Sequence, residues 1–134
     1  MNKYNTIIWL DDIRNPLDFL KNIEFKKLVW VKNYDEFKTT VMNSNMMGLF
    51  ISFDHDIADE HYTPKKYWDD YEASKIYQES QNYKEKTGYD CAKWLVDLCI
   101  KHDMNFPDYN VHSANPVGAD NIRNYIENFK KTKK

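Results

Sequence analysis

The chain has few of the residues that mark secreted or membrane-spanning proteins. Its 134 residues include only two cysteines. If Cys91 and Cys99 share a helix, roughly 12 Å of helical rise separates them, which is too far for a disulfide. Two unpaired thiols are typical of a reducing compartment. No apolar segment opens the chain, and no apolar run approaches the length of about 18 residues that a membrane helix needs. We therefore expect a cytoplasmic protein without a membrane partner.

A strong excess of charge is also absent. The 19 basic and 21 acidic residues give a net charge of −2, so no general basic field indicates strong nonspecific nucleic-acid binding. Internal repeats and low-complexity linkers are lacking as well. A content of 42% hydrophobic and 16% aromatic residues suits a single globular domain over residues 1–134 with a sizeable core. Nothing in the sequence indicates the oligomeric state.

Short apolar runs alternate with helical patterns along the chain. The apolar runs predict four strands, at about 5–10, 27–32, 49–53 and 109–113. Capping residues and apolar spacing predict helices at about 15–20, 33–47, 87–106 and 116–129. Such alternation is typical of a parallel α/β sheet with right-handed crossovers. A strand order of 2-1-3-4 would place the first and third strands side by side at a switch point.

Residues 57–86 interrupt this alternation. They are rich in tyrosine, lysine and acidic residues and poor in aliphatic ones. We interpret them as an insertion after the third strand, with a helix from about 69 to 81. The insertion would either cover the site as a lid or form a peripheral structural flap, and the sequence favours neither.

Carboxylates follow the first and third predicted strands directly. Asp11 and Asp12 come after one strand, and Asp54 and Asp56 after the other. Because ligands bind at the carboxyl edge of such sheets, we expect the four side chains to converge there. Clustered carboxylates repel each other unless a cation lies among them, and hard ions such as Mg²⁺ prefer oxygen ligands. The pattern favours a divalent metal site, although single aspartates also serve as caps or turn residues.

Two histidines and an arginine lie close to these carboxylates in the predicted fold. Arg14 suits either a bidentate phosphate contact or a salt bridge to the aspartates. His112, at the end of the fourth strand, is a candidate general acid/base, with a buried structural histidine as the alternative. His55 is a candidate metal ligand or proton donor. Strand alternation, however, places it on the side opposite Asp54 and Asp56.

A small polar loop that contains Ser113 and Asn115 leads into the last predicted helix. Backbone N–H groups at a helix N-terminus bind phosphate well. The same residues are also ordinary turn formers, so this loop alone indicates little.

These positions resemble the receiver domains of two-component signalling. Receivers carry an acidic pair after the first strand, an aspartate after the third and a serine or threonine after the fourth. Asp11, Asp12, Asp54 and Ser113 match those positions. A receiver also has a fifth strand bearing a lysine, and no such strand follows the last helix in this sequence.

The resemblance to cyclic-phosphate processing receiver domains is closer. Four segments are similar to that family: L-D-D-x-R-x-P at 10–16, S-F-D-H-D at 52–56, T-G-x-D at 87–90 and H-S-A-N-P-x-G at 112–118. The resemblance implies a receiver-like (flavodoxin-like) three-layer sandwich. It also implies a metal-dependent site for a cyclic phosphate, such as a 2′,3′-cyclic RNA end or a cyclic nucleotide, which would be the ligand.

The residues and the resemblance together predict a phosphoesterase that uses Mg²⁺ or Mn²⁺. The predicted metal ligands are Asp11, Asp12, Asp54 and Asp56. The predicted phosphate-binding residues are Arg14, Ser113 and Asn115, and the predicted catalytic residues are His112, Asp54 and His55. Two alternatives stay open. One is a non-catalytic module that binds a cyclic nucleotide or a protein, and the other is a receiver-type switch phosphorylated on aspartate.

Overall fold

One four-stranded parallel sheet organises the fold. The computed structural model describes residues 3–18, 20–57, 70–79 and 86–132. The strands are β1 (Lys3–Leu10), β2 (Glu24–Val31), β3 (Leu49–Phe53) and β4 (Asp108–Val111). The helices are α1 (Tyr34–Met42), α2 (Tyr71–Glu79), α3 (Gly88–His102) and α4 (Pro116–Thr132). The strand order β2-β1-β3-β4 confirms the predicted receiver-like α/β fold. No fifth strand is found among the described residues.

The two faces of the sheet carry separate hydrophobic clusters, because side chains alternate along each strand. The larger cluster joins Leu10 and Phe53 to side chains from α1, α3 and α4. The smaller cluster contains Ile7 and Trp9, and Leu20 from the connection between β1 and β2 packs with them. None of the described members of this cluster lies in a helix. Three helices therefore cover one face, and the connection between β1 and β2 covers part of the other.

Two predicted helices are shorter in the structure. The helix predicted through residue 47 ends at Met42, and Asn43 is its C-cap. Gly48 lies beyond this end and adopts a φ of 74° in the turn before β3, a conformation that most residues with a side chain adopt only with strain. The helix predicted at 15–20 is a single 3-10 turn, Pro16–Asp18. The N–H of Ile23 donates to the carbonyl of Leu20 over 3.2 Å, so a turn into β2 follows instead of a longer helix.

Helix α3 ends at His102, before the predicted end near residue 106. Asp103 follows in the left-handed conformation and closes the last turn. Cys91 and Cys99 both lie in this helix, buried and not joined by a disulfide, as their spacing predicted. No helix of the described ranges is long and apolar enough to cross a membrane.

Most of the predicted insertion lies outside the described residues, namely 58–69 and 80–85. Its predicted helix corresponds to α2. The hydroxyl of Tyr71 on α2 donates to Asp120 on α4 over 3.0 Å, so α2 lies beside α4. A role of the insertion as a lid stays a prediction.

Candidate functional site

The carboxyl ends of β1, β3 and β4 meet at one edge of the sheet. Phe53 pairs with Leu10 on one side and with Val111 on the other. Just beyond the strands, the N–H of Asp54 donates to the carbonyl of Leu10 over 3.0 Å, and the N–H of His112 donates to that of Phe53 over 2.9 Å. The side chains that follow the three strands therefore start next to each other.

Asp11, Asp54 and His112 form a group that could hold a metal ion. Each offers one ligand atom, and the three atoms lie within 4.8 Å of one another. The group joins one aspartate from each acidic pair. It also contains His112, which the sequence predicted as a catalytic residue and not as a metal ligand. Within the described residues the group does not include Asp12 or Asp56, and their roles as metal ligands stay predictions.

Asp11 is almost fully buried and firmly held. Its Oδ1 accepts the backbone N–H groups of Ile13 and Arg14, both over 2.8 Å, and its Oδ2 lies 3.0 Å from Nε2 of His112. Burial alone would raise the pKa of this carboxyl. The hydrogen bonds to its charged form outweigh burial and lower the pKa below its ordinary value. Asp11 is therefore an ionised carboxylate at neutral pH.

The pKa of Asp54 is shifted in the opposite direction to that of Asp11. This side chain is buried, and burial together with the charge of Asp11 raises its pKa to about 7. A hydrogen bond from Ser113 and the positive charge of Arg14 oppose this shift without cancelling it. Two neighbouring carboxyls with opposite pKa shifts are typical of functional sites. A cation between them would offset their repulsion and favour ionised Asp54.

The imidazole of His112 is held on three sides. Its Nδ1 lies 2.7 Å from the Ser52 hydroxyl, and its Nε2 lies 3.0 Å from Asp11. The ring stacks on Trp9, with centroids 3.7 Å apart and an interplanar angle of 6°. Because Asp11 is ionised, we assign the ring proton to Nε2, so that Ser52 donates to Nδ1. Burial lowers the pKa of His112, which favours the neutral ring although Asp11 opposes this effect.

Ser52 and Trp9 are site residues that were not predicted from the sequence. Both lie inside apolar runs that are typical of buried strands. A signal was present for Ser52, since it is the one polar residue in β3, whose sequence is LFISF. Buried hydroxyl groups need a hydrogen-bond partner, and this requirement points toward a polar neighbour. No comparable signal marks Trp9.

Two indoles fix the loop that carries Asp11 and Arg14. Nε1 of Trp9 donates to the carbonyl of Arg14 over 2.9 Å, and Nε1 of Trp30 donates to that of Asp11 over 2.6 Å. Nη1 of Arg14 donates to the carbonyl of His112 over 3.1 Å. A guanidinium has more N–H groups than this bond uses. The position is compatible with the predicted phosphate contact.

His55, Asp56 and Asn115 form a second buried group. Nδ1 of His55 lies 2.7 Å from Oδ1 of Asp56, and the amide of Asn115 donates to both Asp56 oxygens over 3.3 Å. Oδ1 of Asn115 also accepts the N–H of Gly118 over 3.0 Å and so caps α4. These contacts join the loop after β3 to α4. The catalytic, metal and phosphate roles predicted for the three residues stay predictions.

Two glycines bring helix N-termini against the loop that carries Asp54. A Cβ at Gly88, the first residue of α3, would lie 1.7 Å from the carbonyl oxygen of Asp54. The N–H of Gly88 donates to the carbonyl of His55 over 2.9 Å. A Cβ at Gly118 would lie 2.3 Å from the His55 ring. Thr87 and Asp90 form a capping box at the start of α3. The sequence did not predict this close approach of backbones.

The fold and the site define a receiver-like α/β domain, with aspartates after β1 and β3 and a serine after β4. A comparison with protein families matches residues 6–128 to the Cyclic-phosphate processing Receiver domain. The chain belongs to this family, as its motifs predicted. No curated protein and no solved structure matches the chain. The description of the family points to a phosphate-bearing ligand.

Proposed function

We propose that the protein is a metal-dependent phosphoesterase that opens a cyclic phosphate, either a 2′,3′-cyclic RNA end or a cyclic nucleotide. The observation that carries the proposal is the group of Asp11, Asp54 and His112, with Arg14 beside it. Two buried carboxyls and an imidazole facing one space supply donors for a divalent cation. The arginine supplies positive charge that suits a phosphate.

The donor set suits Mn²⁺ better than Mg²⁺. Asp11 and Asp54 would bind either ion through carboxylate oxygens, but Mg²⁺ prefers oxygen ligands and an imidazole suits transition metals. When bound, the cation would polarise a phosphoryl oxygen and favour ionisation of water. Asp12 and Asp56 are candidates for contacts to water around the ion.

The chain's own residues would bind and orient the phosphate. Arg14 is tied to the His112 carbonyl by one N–H and would direct other N–H groups to the phosphate. Ser113, which hydrogen-bonds Asp54, and Asn115 at the N-terminus of α4 are the other candidates for phosphate contact. His112 would act either as the third ligand or as the proton donor to the leaving oxygen.

The test is hydrolysis of a panel of 2′,3′- and 3′,5′-cyclic nucleotides and cyclic-ended RNA, with Mn²⁺, Mg²⁺ or chelator. We expect metal-dependent turnover of one substrate class, lost in Asp54→Asn and His112→Ala. Asp97→Asn, which changes an exposed carboxylate on α3, is the control and should retain activity. The metal affinity of His112→Ala separates the two roles of this residue. Weaker metal binding is expected if His112 is a ligand, but not if it is only the proton donor.

Turnover that persists in chelator, or in both Asp54→Asn and His112→Ala, would contradict the proposal. Stabilisation by a cyclic nucleotide without turnover would indicate a non-catalytic binding module instead. Stable labelling of Asp54 or Asp56 by acetyl phosphate would indicate a receiver-type switch.

A further inference from the structure

Ser52 lies on β3, an interior strand of the sheet, where a buried hydroxyl needs a hydrogen-bond partner. It is 1% exposed, and its neighbours Ile51 and Phe53 point to the opposite face, into the larger cluster. Its register partner on β1 is Trp9. The hydroxyl is thus surrounded by packed residues and does not face solvent, so it is not placed to touch a substrate.

The Ser52 hydroxyl contacts Nδ1 of His112, on the ring edge opposite the one that faces Asp11. The distance to Nδ1 is 2.7 Å, while Nε2 on the other edge faces Asp11. Trp9 covers one face of the ring. Rotation of the imidazole about its side-chain bonds would break all three contacts. The position of Nε2 therefore depends on Ser52 as well as on Asp11 and Trp9.

We propose that Ser52 is a positioning residue that lets His112 serve as a metal ligand. This inference rests on the proposed metal site. Without a cation, Nε2–H donates to Asp11 and the Ser52 hydroxyl donates to Nδ1. With a cation on Nε2, the ring proton must lie on Nδ1, and the same hydroxyl accepts it. A hydroxyl can donate or accept by rotating its hydrogen, so Ser52 serves both tautomers without any heavy atom moving.

A hydroxyl is the side-chain group that meets this requirement in a buried position. A carbonyl or a carboxylate would accept from Nδ1–H but could not donate to the metal-free tautomer. A lysine would donate but could not accept. Metal-bound histidines generally donate their second N–H to a fixed partner, and loss of that partner weakens metal binding by about 10–100-fold.

The first experiment compares Mn²⁺ affinity, measured by calorimetry, in wild type, Ser52→Ala and Ser52→Thr. We expect about 10–100-fold weaker binding in Ser52→Ala and near wild-type affinity in Ser52→Thr, which keeps the hydroxyl. The added methyl of threonine will lower the melting temperature in this packed position. If Ser52→Thr is less stable than wild type but binds Mn²⁺ equally well, the loss of affinity in Ser52→Ala is due to the missing hydroxyl and not to lower stability.

Tyr4→Phe is the matched control. It removes the hydroxyl of a buried tyrosine, which donates to Asp108 over 2.8 Å at the opposite edge of the sheet. We expect an unchanged Mn²⁺ affinity. If Ser52→Ala binds Mn²⁺ as wild type does, or if Tyr4→Phe loses as much affinity as Ser52→Ala, the positioning role is overturned.

The second experiment follows the ring nitrogens of His112 by ¹⁵N NMR, assigned by comparison with His112→Ala. Zn²⁺ serves as a diamagnetic probe. We expect the proton on Nε2 in the metal-free protein and on Nδ1 when Zn²⁺ is saturating. An unchanged tautomer at saturation, or no cation binding by wild type, overturns the inference. If the tautomer changes as expected and no cyclic phosphate is hydrolysed, the phosphoesterase proposal fails and the role of Ser52 stands.

Discussion

Replacing Asp54 by asparagine should change how the stability of the protein depends on pH. Burial and the nearby Asp11 raise the pKa of Asp54 from 3.8 to about 7. Between these pH values the folded protein holds a proton that the unfolded chain has released. The stability contributed by this proton is fully present below pH 3.8 and is lost as the pH rises through 7. Asparagine does not titrate, so the variant lacks this loss.

The size of this effect on the free energy of unfolding follows from the pKa shift of Asp54. At about 1.4 kcal/mol per pH unit, the change from 3.8 to about 7 corresponds to on the order of 4 kcal/mol at alkaline pH. The part that accumulates between pH 5 and pH 8 is roughly 2–3 kcal/mol. The lowered pKa of His112 gives a dependence of opposite sign below pH 6.5. It is present in both proteins, so we expect it to cancel largely in their difference.

The assay is urea unfolding of wild type and Asp54→Asn in chelator, at several values from pH 5 to pH 8. The free energy of unfolding of the variant, relative to wild type, should increase steadily with pH. Asp97→Asn is the control, because it also removes one carboxylate, from an exposed position on α3. Parallel stability curves for wild type and Asp54→Asn would refute the reasoning that burial beside Asp11 disfavours the charge on Asp54.

Two substitutions test the contacts of the loop after β3. Gly88→Ala should lower the free energy of unfolding by about 3 kcal/mol or more, because the Cβ would lie 1.7 Å from the Asp54 carbonyl oxygen. A free energy of unfolding within about 0.5 kcal/mol of wild type, measured in urea, would contradict this close approach. Asn115→Asp keeps an acceptor for the N–H of Gly118 but removes the donor to Asp56, so we expect a loss of about 1–3 kcal/mol at pH 8. Equal thermal stability of this variant and wild type would show that the Asp56 contact contributes little.

The strand order and the meeting of Asp11 with Asp54 were predictable from the sequence. Both depend on features that act locally or by simple rules: short apolar runs, alternation with helices, and polar residues placed directly after strands. In a parallel sheet these rules bring the ends of neighbouring strands together whatever the details of packing. The family's motifs agreed with this part of the prediction.

The composition of the donor set was not predictable in the same way. Only one aspartate of each acidic pair joins the group, and the orientation of side chains in a loop determines which one. For Asp11 this orientation is fixed by hydrogen bonds from the N–H groups of Ile13 and Arg14. The orientation of His112 depends on Trp9 and Ser52, which lie far away in the sequence.

Two of the chain's three glycines lie against the loop that carries Asp54. At Gly88 the contact is made by backbone atoms on both sides, and backbone atoms cannot change rotamer as core side chains do. The shortest distance between Asp54 and the start of α3 is therefore set by atoms that a core substitution does not change. Substitutions that alter the shape of the core should change stability before they change the dimensions of the site. In a diverging lineage, the geometry around this aspartate would be among the last features to drift.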